Sequence, residues 1–120
     1  MGALLVIEHE ATGERRRHVR GRLRIGRASD NDWVLPDRDP KPSLSRRHCV
    51  IEGEGDAFTV LDLASTNGTR LNGRPVPPQL PTPLGAGDRL ELGRHVLRLS
   101  LESERPAMDA VSGATLLPGL

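Results

Sequence analysis

Short runs in which apolar and polar residues alternate fill the chain up to residue 102, and turn-forming residues separate them. In residues 22–27, for example, Leu23 and Ile25 lie on one face and Arg22 and Arg24 on the other. A period of two residues is typical of a half-buried β-strand, whereas no long window before residue 102 has the period of an amphipathic helix. The pattern therefore predicts an all-β antiparallel sandwich.

The predicted strands follow one another closely: residues 3–8, 16–20, 22–27, 33–35, 48–52, 57–63, 69–71, 89–93 and 95–102. Residues 53–56 are predicted to form the loop of the central hairpin, with two glycines free to adopt positive φ. Asn72-Gly73 indicates a tight type I′ turn. Because proline cannot continue a ladder, residues 36–42 and 75–83 are predicted to be surface loops. The closing hairpin is predicted to direct five leucines inward: Leu90, Leu92, Leu97, Leu99 and Leu101.

One domain, residues 1–102, is expected from a length of 120 residues. Residues 103–120 lack strand alternation and are interpreted as a flexible tail or a linker to a missing C-terminal region. The formal net charge of +1 is too small for bulk attraction to nucleic acid or a membrane, so any basic site must be local. The single cysteine, Cys49, lies in an apolar run and is interpreted as inert and buried. A lone cysteine without a long apolar run favours a cytoplasmic protein with no membrane insertion.

The central hairpin is flanked by two polar clusters, residues 45–48 and residues 65–69. An antiparallel hairpin holds such clusters side by side at one rim, and Gly26-Arg27 ends an earlier strand. Together these segments offer hydrogen-bond donors without a matching acceptor: Arg27, Ser45, Arg46, Ser65, Thr66 and Asn67. A phosphorylated side chain carries about −1.5 to −2 charge and strong acceptor oxygens, so this set predicts a phosphate-ester ligand.

Five motifs in this order and spacing closely resemble the signature of forkhead-associated (FHA) domains: Gly26-Arg27, Ser45-Arg46-Arg47-His48, Ser65-Thr66-Asn67-Gly68-Thr69, Leu71-Asn72-Gly73 and Gly87-Asp88. The resemblance covers about residues 3–102. It implies a sandwich of two twisted sheets with about eleven short strands and binding loops at one end. It also implies a non-enzymatic module, without a cofactor, that binds a phosphothreonine-containing protein or peptide marked by a Ser/Thr kinase.

By the same resemblance, Arg27 and Ser45 contact the phosphate, and Arg46 and Thr66 add supplementary contacts. Asn67 matches an asparagine that bonds the peptide backbone. Three residues match structural positions that support the binding loops: Gly26, His48 and Gly68.

A finer resemblance in residues 25–37 is to the N-terminal FHA modules of type VI secretion-associated proteins. It implies a role in regulating secretion assembly, with secretion-system components among the partners. The alternative is a phospho-independent scaffold that uses the sandwich faces or the arginine-rich residues 15–24 to hold partners. Thr115 in the tail is a candidate ligand for the chain's own site.

Other chemistries fit the sequence less well. Ser45 and His48 suggest a hydrolase, but their spacing supplies no third residue to orient the histidine. The histidines at positions 9, 18 and 95 are scattered and do not have metal-ligand spacing. Residues 37–39 lack the pattern of a calcium loop and are interpreted as solvated. Residues 15–24 carry no aromatic residue for base stacking, so nucleic-acid binding is not expected.

Overall fold

A computed structural model describes residues 3–103, and all regular structure within them is β-strand. The eleven strands are β1 (Ala3–His9), β2 (Arg15–His18), β3 (Gly21–Gly26), β4 (Trp33–Val34), β5 (Cys49–Glu54), β6 (Ala57–Asp62), β7 (Thr69–Leu71), β8 (Arg74–Pro75), β9 (Thr82–Leu84), β10 (Arg89–Leu92) and β11 (His95–Ser103). The predicted all-β class and the number of about eleven strands implied by the family resemblance are confirmed, whereas the alternation pattern itself missed β8 and β9. The part of the chain that is described contains no helix able to cross a membrane. The predicted tail lies outside the described residues, apart from Ser103 at the end of β11.

Two sheets pack face to face. One has the order β2-β1-β11-β10-β7-β8, and the other has the order β4-β3-β5-β6-β9. Adjacent strands are antiparallel except for β3 and β4, which pair in parallel through Ile25–Trp33 and Gly26–Val34. Since β3, β5 and β6 are neighbours, the end of β3 lies beside the start of β5 and the end of β6. The topology thus places three chain segments at one end of one sheet.

Side chains from the inner faces of both sheets form a single core. Alternate residues of the longer strands enter it, as the period of two requires. The two large aromatic side chains, Trp33 and Phe58, are almost completely buried. The aliphatic members of this core include Leu5, Ile7, Leu23, Ile25, Ile51, Val60, Leu90, Leu92, Leu97 and Leu99. This rigid layer supports the loops at the end of the sandwich.

The structure corrects two strand boundaries. Strand β2 begins at Arg15, where it pairs with Glu8, and ends at His18, so the prediction of 16–20 was shifted. Strand β5 continues through Gly53, which pairs with Phe58, and the hairpin turns at Gly55, whose φ is +62°. Gly53 is therefore a strand residue and not part of the loop, and it is a glycine because a Cβ there would lie 2.8 Å from the Phe58 ring. Its missing side chain makes room for that ring.

The proline-rich residues 75–83 are not entirely loop. Pro75 belongs to β8, and Thr82–Leu84 form β9, which pairs only with β6 at the edge of its sheet. Proline is tolerated on edge strands because a missing N–H on the outer side leaves no ladder bond unmade. The edge position of β9 therefore accommodates Pro83.

Leu101 shares the inner face of its sheet with Leu5 but is 37% exposed, whereas Leu99 is 3% exposed. Strand β10 pairs with β11 only as far as Arg98, so Leu101 lies beyond the last residue that β10 covers. The prediction that all five leucines of the closing hairpin point into the core thus overstates the burial of Leu101.

We expect Leu99→Ala to lower the free energy of unfolding by about 2–4 kcal/mol and Leu101→Ala by less than about 1 kcal/mol. The difference follows from the cavity that only the buried leucine leaves behind. Urea denaturation followed by circular dichroism measures both values. Equal losses would contradict the different burial of the two leucines.

Candidate functional site

Three segments meet at one end of the sandwich: the end of β3, a first loop between β4 and β5 (residues 35–48), and a second loop between β6 and β7 (residues 63–68). The Arg27 amide donates to the Ser45 carbonyl at 3.1 Å, and the Thr66 amide donates to Ser45 Oγ at 3.0 Å. The five residues predicted to bind ligand therefore lie on adjoining segments. We call this set the rim: Arg27, Ser45, Arg46, Thr66 and Asn67.

Gly26 permits the close approach of the first loop to β3. A Cβ at this position would lie 2.1 Å from the Arg46 carbonyl oxygen. That oxygen accepts hydrogen bonds from the Ala28 amide at 3.1 Å and from Asn31 Nδ2 at 2.7 Å, so it cannot easily move away. Only glycine fits at position 26 without displacing the backbone of the rim.

Arg27 is half-buried and held by one nitrogen only. Its Nε donates to the Leu44 carbonyl at 2.6 Å, and its backbone amide is bonded to Ser45. Within residues 3–103, the terminal amino groups of Arg27 have no hydrogen-bond or carboxylate partner. The guanidinium is thus oriented and still has donors free for a forked contact with an oxyanion.

The hydroxyls of the two loops differ in availability. Ser45 Oγ accepts the Thr66 amide, which leaves its own hydrogen free to donate. Ser65 Oγ instead donates to Asp62 Oδ1, so the inclusion of Ser65 among the free donors was wrong. Its hydroxyl is used inside the second loop.

His48 is fully buried and bridges the two loops. Its Nδ1 accepts the Ser45 amide at 3.1 Å, and its Nε2 lies 2.9 Å from the Gly68 carbonyl. Because an amide can only donate, Nδ1 must be unprotonated and the hydrogen must be on Nε2. Burial lowers the pKa of His48, against the opposing hydrogen bond to Gly68 and the charge of Asp62, and so favours this neutral form. Because both ring nitrogens are used in these bonds, neither can activate Ser45 Oγ, as a hydrolase would require.

Asp62 anchors the second loop from inside the sandwich. It is 2% exposed and accepts the Ser65 amide at 3.2 Å, the Ser65 hydroxyl, and the Thr69 hydroxyl at 2.7 Å. Sequence reasoning missed this residue, although the alternation Phe58, Val60, Asp62 places it on the inner face of β6. An inward-facing carboxylate just before a cluster of hydroxyl residues could have indicated that Asp62 anchors this loop.

Asp37 anchors the first loop, and the interpretation of residues 37–39 as solvated was wrong for this residue. Its side chain is 4% exposed, and its Oδ2 accepts the amides of Ser43 at 2.9 Å and Leu44 at 3.0 Å. His95 Nε2 approaches the same oxygen at 3.1 Å. Desolvation alone would raise the pKa of Asp37, but the hydrogen bonds from His95 and the backbone outweigh it and lower that pKa. The carboxylate therefore remains charged.

A groove of about 650 Å³ adjoins the rim on the side of Asn67. Asn67 Nδ2 donates to the Ser43 carbonyl at 3.0 Å, and both residues line the groove. The residues along the groove include Lys41, Thr66, Asn67, Arg70 and Arg94. An open groove beside these donors offers an extended peptide segment a place to lie next to the rim.

Several cations at this end of the molecule form no ion pair within the described residues, although Glu91 also lines the groove. Arg47 pairs with Asp30, and Arg94 pairs with Asp39 at 2.6 Å. Four further cations have no carboxylate partner among residues 3–103: Arg27, Lys41, Arg46 and Arg70. Unpaired cations beside oriented donors attract a dianionic ligand.

Other polar groups of the sequence have structural partners. The cluster in residues 15–24 is partly neutralised by Arg15–Glu8, Arg22–Glu52 and Arg24–Asp32 pairs. Across the described residues, no group of three or more His, Cys, Asp or Glu side chains could hold a metal ion. Cys49 is buried, and burial raises the pKa of its thiol.

The sequence matches the family model described as FHA domain over residues 23–93. It is similar to the FHA domain-containing protein FhaA of Mycobacterium tuberculosis, with 41% identity over 69 residues that make up 58% of this chain and 12% of FhaA. The chain also covers only 18% to 39% of three other curated relatives.

The fold is also similar to those of solved structures. An FHA domain with phosphothreonine-dependent interactions has 30% sequence identity and a TM-score of 0.72, over 82% of this chain and 97% of that chain. Mycobacterium tuberculosis EmbR, solved in complex with a low-affinity phosphopeptide, has 25% identity and a TM-score of 0.72, over 86% of this chain and 26% of the EmbR chain.

We expect Gly26→Ala to destabilise the domain by about 1–3 kcal/mol or more, because the added methyl group collides with a carbonyl that is fixed by two hydrogen bonds. Gly85→Ala is the matched control, since a Cβ there has its nearest neighbour at 3.8 Å, and we expect a change within about 0.5 kcal/mol. Thermal unfolding measures both. A Gly26→Ala variant as stable as the control would refute the steric role of Gly26.

Proposed function

The chain belongs to the FHA domain family, and from that premise we propose that its rim binds a phosphothreonine in a partner protein or peptide. The proposal depends on the hydrogen bonding of Arg27: its Nε donates to the Leu44 carbonyl, while its terminal amino groups have no partner in the described part of the chain. A forked donor held in this way is matched to a phosphate group.

Each residue of the rim receives a role. Arg27 and the Ser45 hydroxyl contact the phosphate, and Arg46 and Thr66, both exposed, add donors from either side. Asn67 exchanges its bond to the Ser43 carbonyl for a bond to the peptide backbone, which lies along the groove. Gly26, His48 and Gly68 keep these residues in place without touching the ligand.

The interactions suffice for reversible signalling. A hydrogen bond to a charged group contributes about 1.5–3 kcal/mol, so three or four would give roughly 5–10 kcal/mol before the cost of ordering the peptide. A net value near 8 kcal/mol corresponds to about micromolar affinity. Phosphorylation by a Ser/Thr kinase would then control the association.

We further propose that the protein acts in the cytoplasm and regulates the assembly of a type VI secretion system. It is supported by the likeness of residues 25–37 to FHA modules of secretion-associated proteins and by the use of a single, buried cysteine. Secretion-system components would be among the partners. Recovery of such components with the wild-type protein, and their loss after phosphatase treatment, would support this setting.

Arg27→Ala should weaken binding of a phosphothreonine peptide, selected from a phosphopeptide library, by at least about 100-fold, because two charge-assisted bonds are lost. Arg27→Lys should also bind weakly, since it keeps the charge but not the fork. The loss of the bond to Leu44 should cost only about 1 kcal/mol of stability. Isothermal titration calorimetry measures the affinities of all three proteins.

Binding of the unphosphorylated peptide provides the decisive comparison. Equal affinity for both forms, or undiminished affinity of Arg27→Ala, would reject the phosphate site and favour the phospho-independent scaffold.

His48→Ala should lower both stability, by about 2–4 kcal/mol, and peptide affinity, because the Ser45 amide and the Gly68 carbonyl lose their partner. His18→Ala is the matched control: His18 is also buried and contacts a backbone carbonyl, that of Gly21 at 2.7 Å, but lies away from the rim. The control should lose stability while peptide affinity at low temperature is retained. If both variants bind like the wild type, His48 has no role in supporting the rim.

A further inference from the structure

A line of hydrogen bonds runs behind the first loop and reaches the end of β1. Thr12 Oγ1 lies 2.9 Å from His9 Nδ1, His9 Nε2 lies 3.1 Å from His95 Nδ1, and His95 Nε2 lies 3.1 Å from Asp37 Oδ2. His9 is 1% exposed and the side chain of His95 is 12% exposed. Two histidines are therefore coupled to each other and to a buried carboxylate.

The same carboxylate determines the position of two residues of the rim. Asp37 binds the amides of Ser43 and Leu44. The carbonyl of Leu44 accepts from Arg27 Nε, and the carbonyl of Ser43 accepts from Asn67 Nδ2. A displacement of Asp37 would thus reach the proposed phosphate donor and the proposed peptide-backbone donor.

The turn between β10 and β11, residues 93 and 94, holds the first loop against Asp37. The amide of Arg94 donates to Ser43 Oγ at 3.0 Å. Gly93 has φ +61°, and a Cβ there would lie 2.4 Å from the Ser43 carbonyl oxygen. Because Ser43 is confined from this side, the loop has little room to compensate for a change at Asp37.

The hydrogen bonds of the line can be satisfied in two protonation states. With both histidines neutral, His95 donates to Asp37, His9 donates to His95, and the Thr12 hydroxyl donates to His9. With one additional proton, the direction of the last two bonds reverses, since the Thr12 hydroxyl can also accept. A single proton can therefore enter without breaking a bond.

A second proton cannot be accommodated. It would place a hydrogen on both of the facing nitrogens of His9 and His95, which are 3.1 Å apart, and give both rings a positive charge. The rings are stacked, with centroids 5.3 Å apart, so their charges would repel at short range. The bond between the two histidines would be lost.

The surroundings of the pair favour loss of a proton from His9. Burial lowers the pKa of His9 first, repulsion by His95 lowers it further, and Glu14 opposes both. On the other side of His9 lies the Trp33 ring, and the Arg16 guanidinium of β2 is 5.5 Å from the centre of that ring. His48, at the end of the first loop, is close enough for His95 to lower its pKa. Asp37 is the only carboxylate in direct contact with the pair among residues 3–103.

We propose that Asp37, His95 and His9 are positioning residues for the rim, and that double protonation of the histidine pair disorders the rim and weakens phosphopeptide binding in mildly acidic solution. The binding part of this inference rests on the proposed function, whereas the effect on the rim does not.

The direction in which stability changes with pH follows from proton linkage. The unfolded chain takes up a proton at His9 near pH 6.5, whereas the folded state resists it until a lower pH. Stability is therefore expected to fall as the pH decreases through 6.5 and to level off below the pKa of the folded state. Binding should follow the same direction, because the peptide requires the ordered rim.

His9→Gln tests the inference because glutamine can donate to His95 and accept from Thr12 but does not titrate. NMR spectra of the ligand-free 120-residue chain would be recorded from about pH 7.5 to pH 5. We expect the Leu44 amide and the Asn67 side-chain amide of the wild type to shift together in a transition below pH 6.5. That transition should be absent from His9→Gln, in which only one residue of the pair can be protonated. His95→Gln also keeps a single titrating histidine and replaces the first variant if that one does not fold.

Binding of a phosphothreonine peptide is then measured for both proteins over the same range. Titration of the phosphate and of His48 is common to both and cancels in the ratio of their dissociation constants. We expect wild-type binding to weaken relative to His9→Gln by at least about threefold between pH 7.5 and pH 5. A constant ratio, or unchanged Leu44 and Asn67 signals in the wild type, would overturn the inference. If the wild type binds no phosphothreonine peptide at any pH, the proposed function fails, while the NMR titration still decides whether the histidine pair controls the rim.

Discussion

The bridge that His48 forms between two loops is the interaction on which the rest of the site depends. Loops at the end of a sandwich have backbone groups that no ladder satisfies, and buried groups of this kind need a side-chain partner. His48 supplies an acceptor to the first loop at Ser45 and a donor to the second loop at Gly68. One buried ring thus fixes the distance between the loops, and with it the distance between their donors.

Two buried carboxylates complete this arrangement in a parallel way. Asp37 collects two amides of the first loop, and Asp62 collects an amide and two hydroxyls of the second. Both carboxylates bind from the side of the core. The donors on the outer side, above all Arg27 and Ser45, consequently keep hydrogens that no group among residues 3–103 accepts. Because these carboxylates satisfy the hydrogen-bonding groups on the inner side of the loops, the donors on the outer side remain available for an anion.

The sequence was sufficient for most of the strands and for the motifs, but not for β8 and β9 or for the long-range polar contacts. Alternation identified strands such as β3 and β11, because burial on one face imposes a period of two. It misplaced Gly53 and Pro83, since the Phe58 ring and the edge position that explain them come from other parts of the chain. Asp37 and its partner His95 are 58 residues apart, and nothing in the local sequence of either residue indicates the other. The motif residues were predicted correctly as neighbours because the hairpin itself brings them together.

Unpaired charge at the rim also has a cost that the fold must offset. Arg27, Lys41, Arg46 and Arg70 lie at one end of the molecule and form no ion pair with a carboxylate of the described residues. Glu91 lies opposite Arg70 and offsets part of their repulsion. Solvent and salt screen exposed charges over about 8–10 Å, so the exposed members cost little. Arg27 is half-buried and less screened, and its bond to Leu44 keeps it from turning away to solvent. A dianion bound there would remove repulsion as well as add hydrogen bonds. Its affinity should therefore depend on salt more strongly than four hydrogen bonds alone would require.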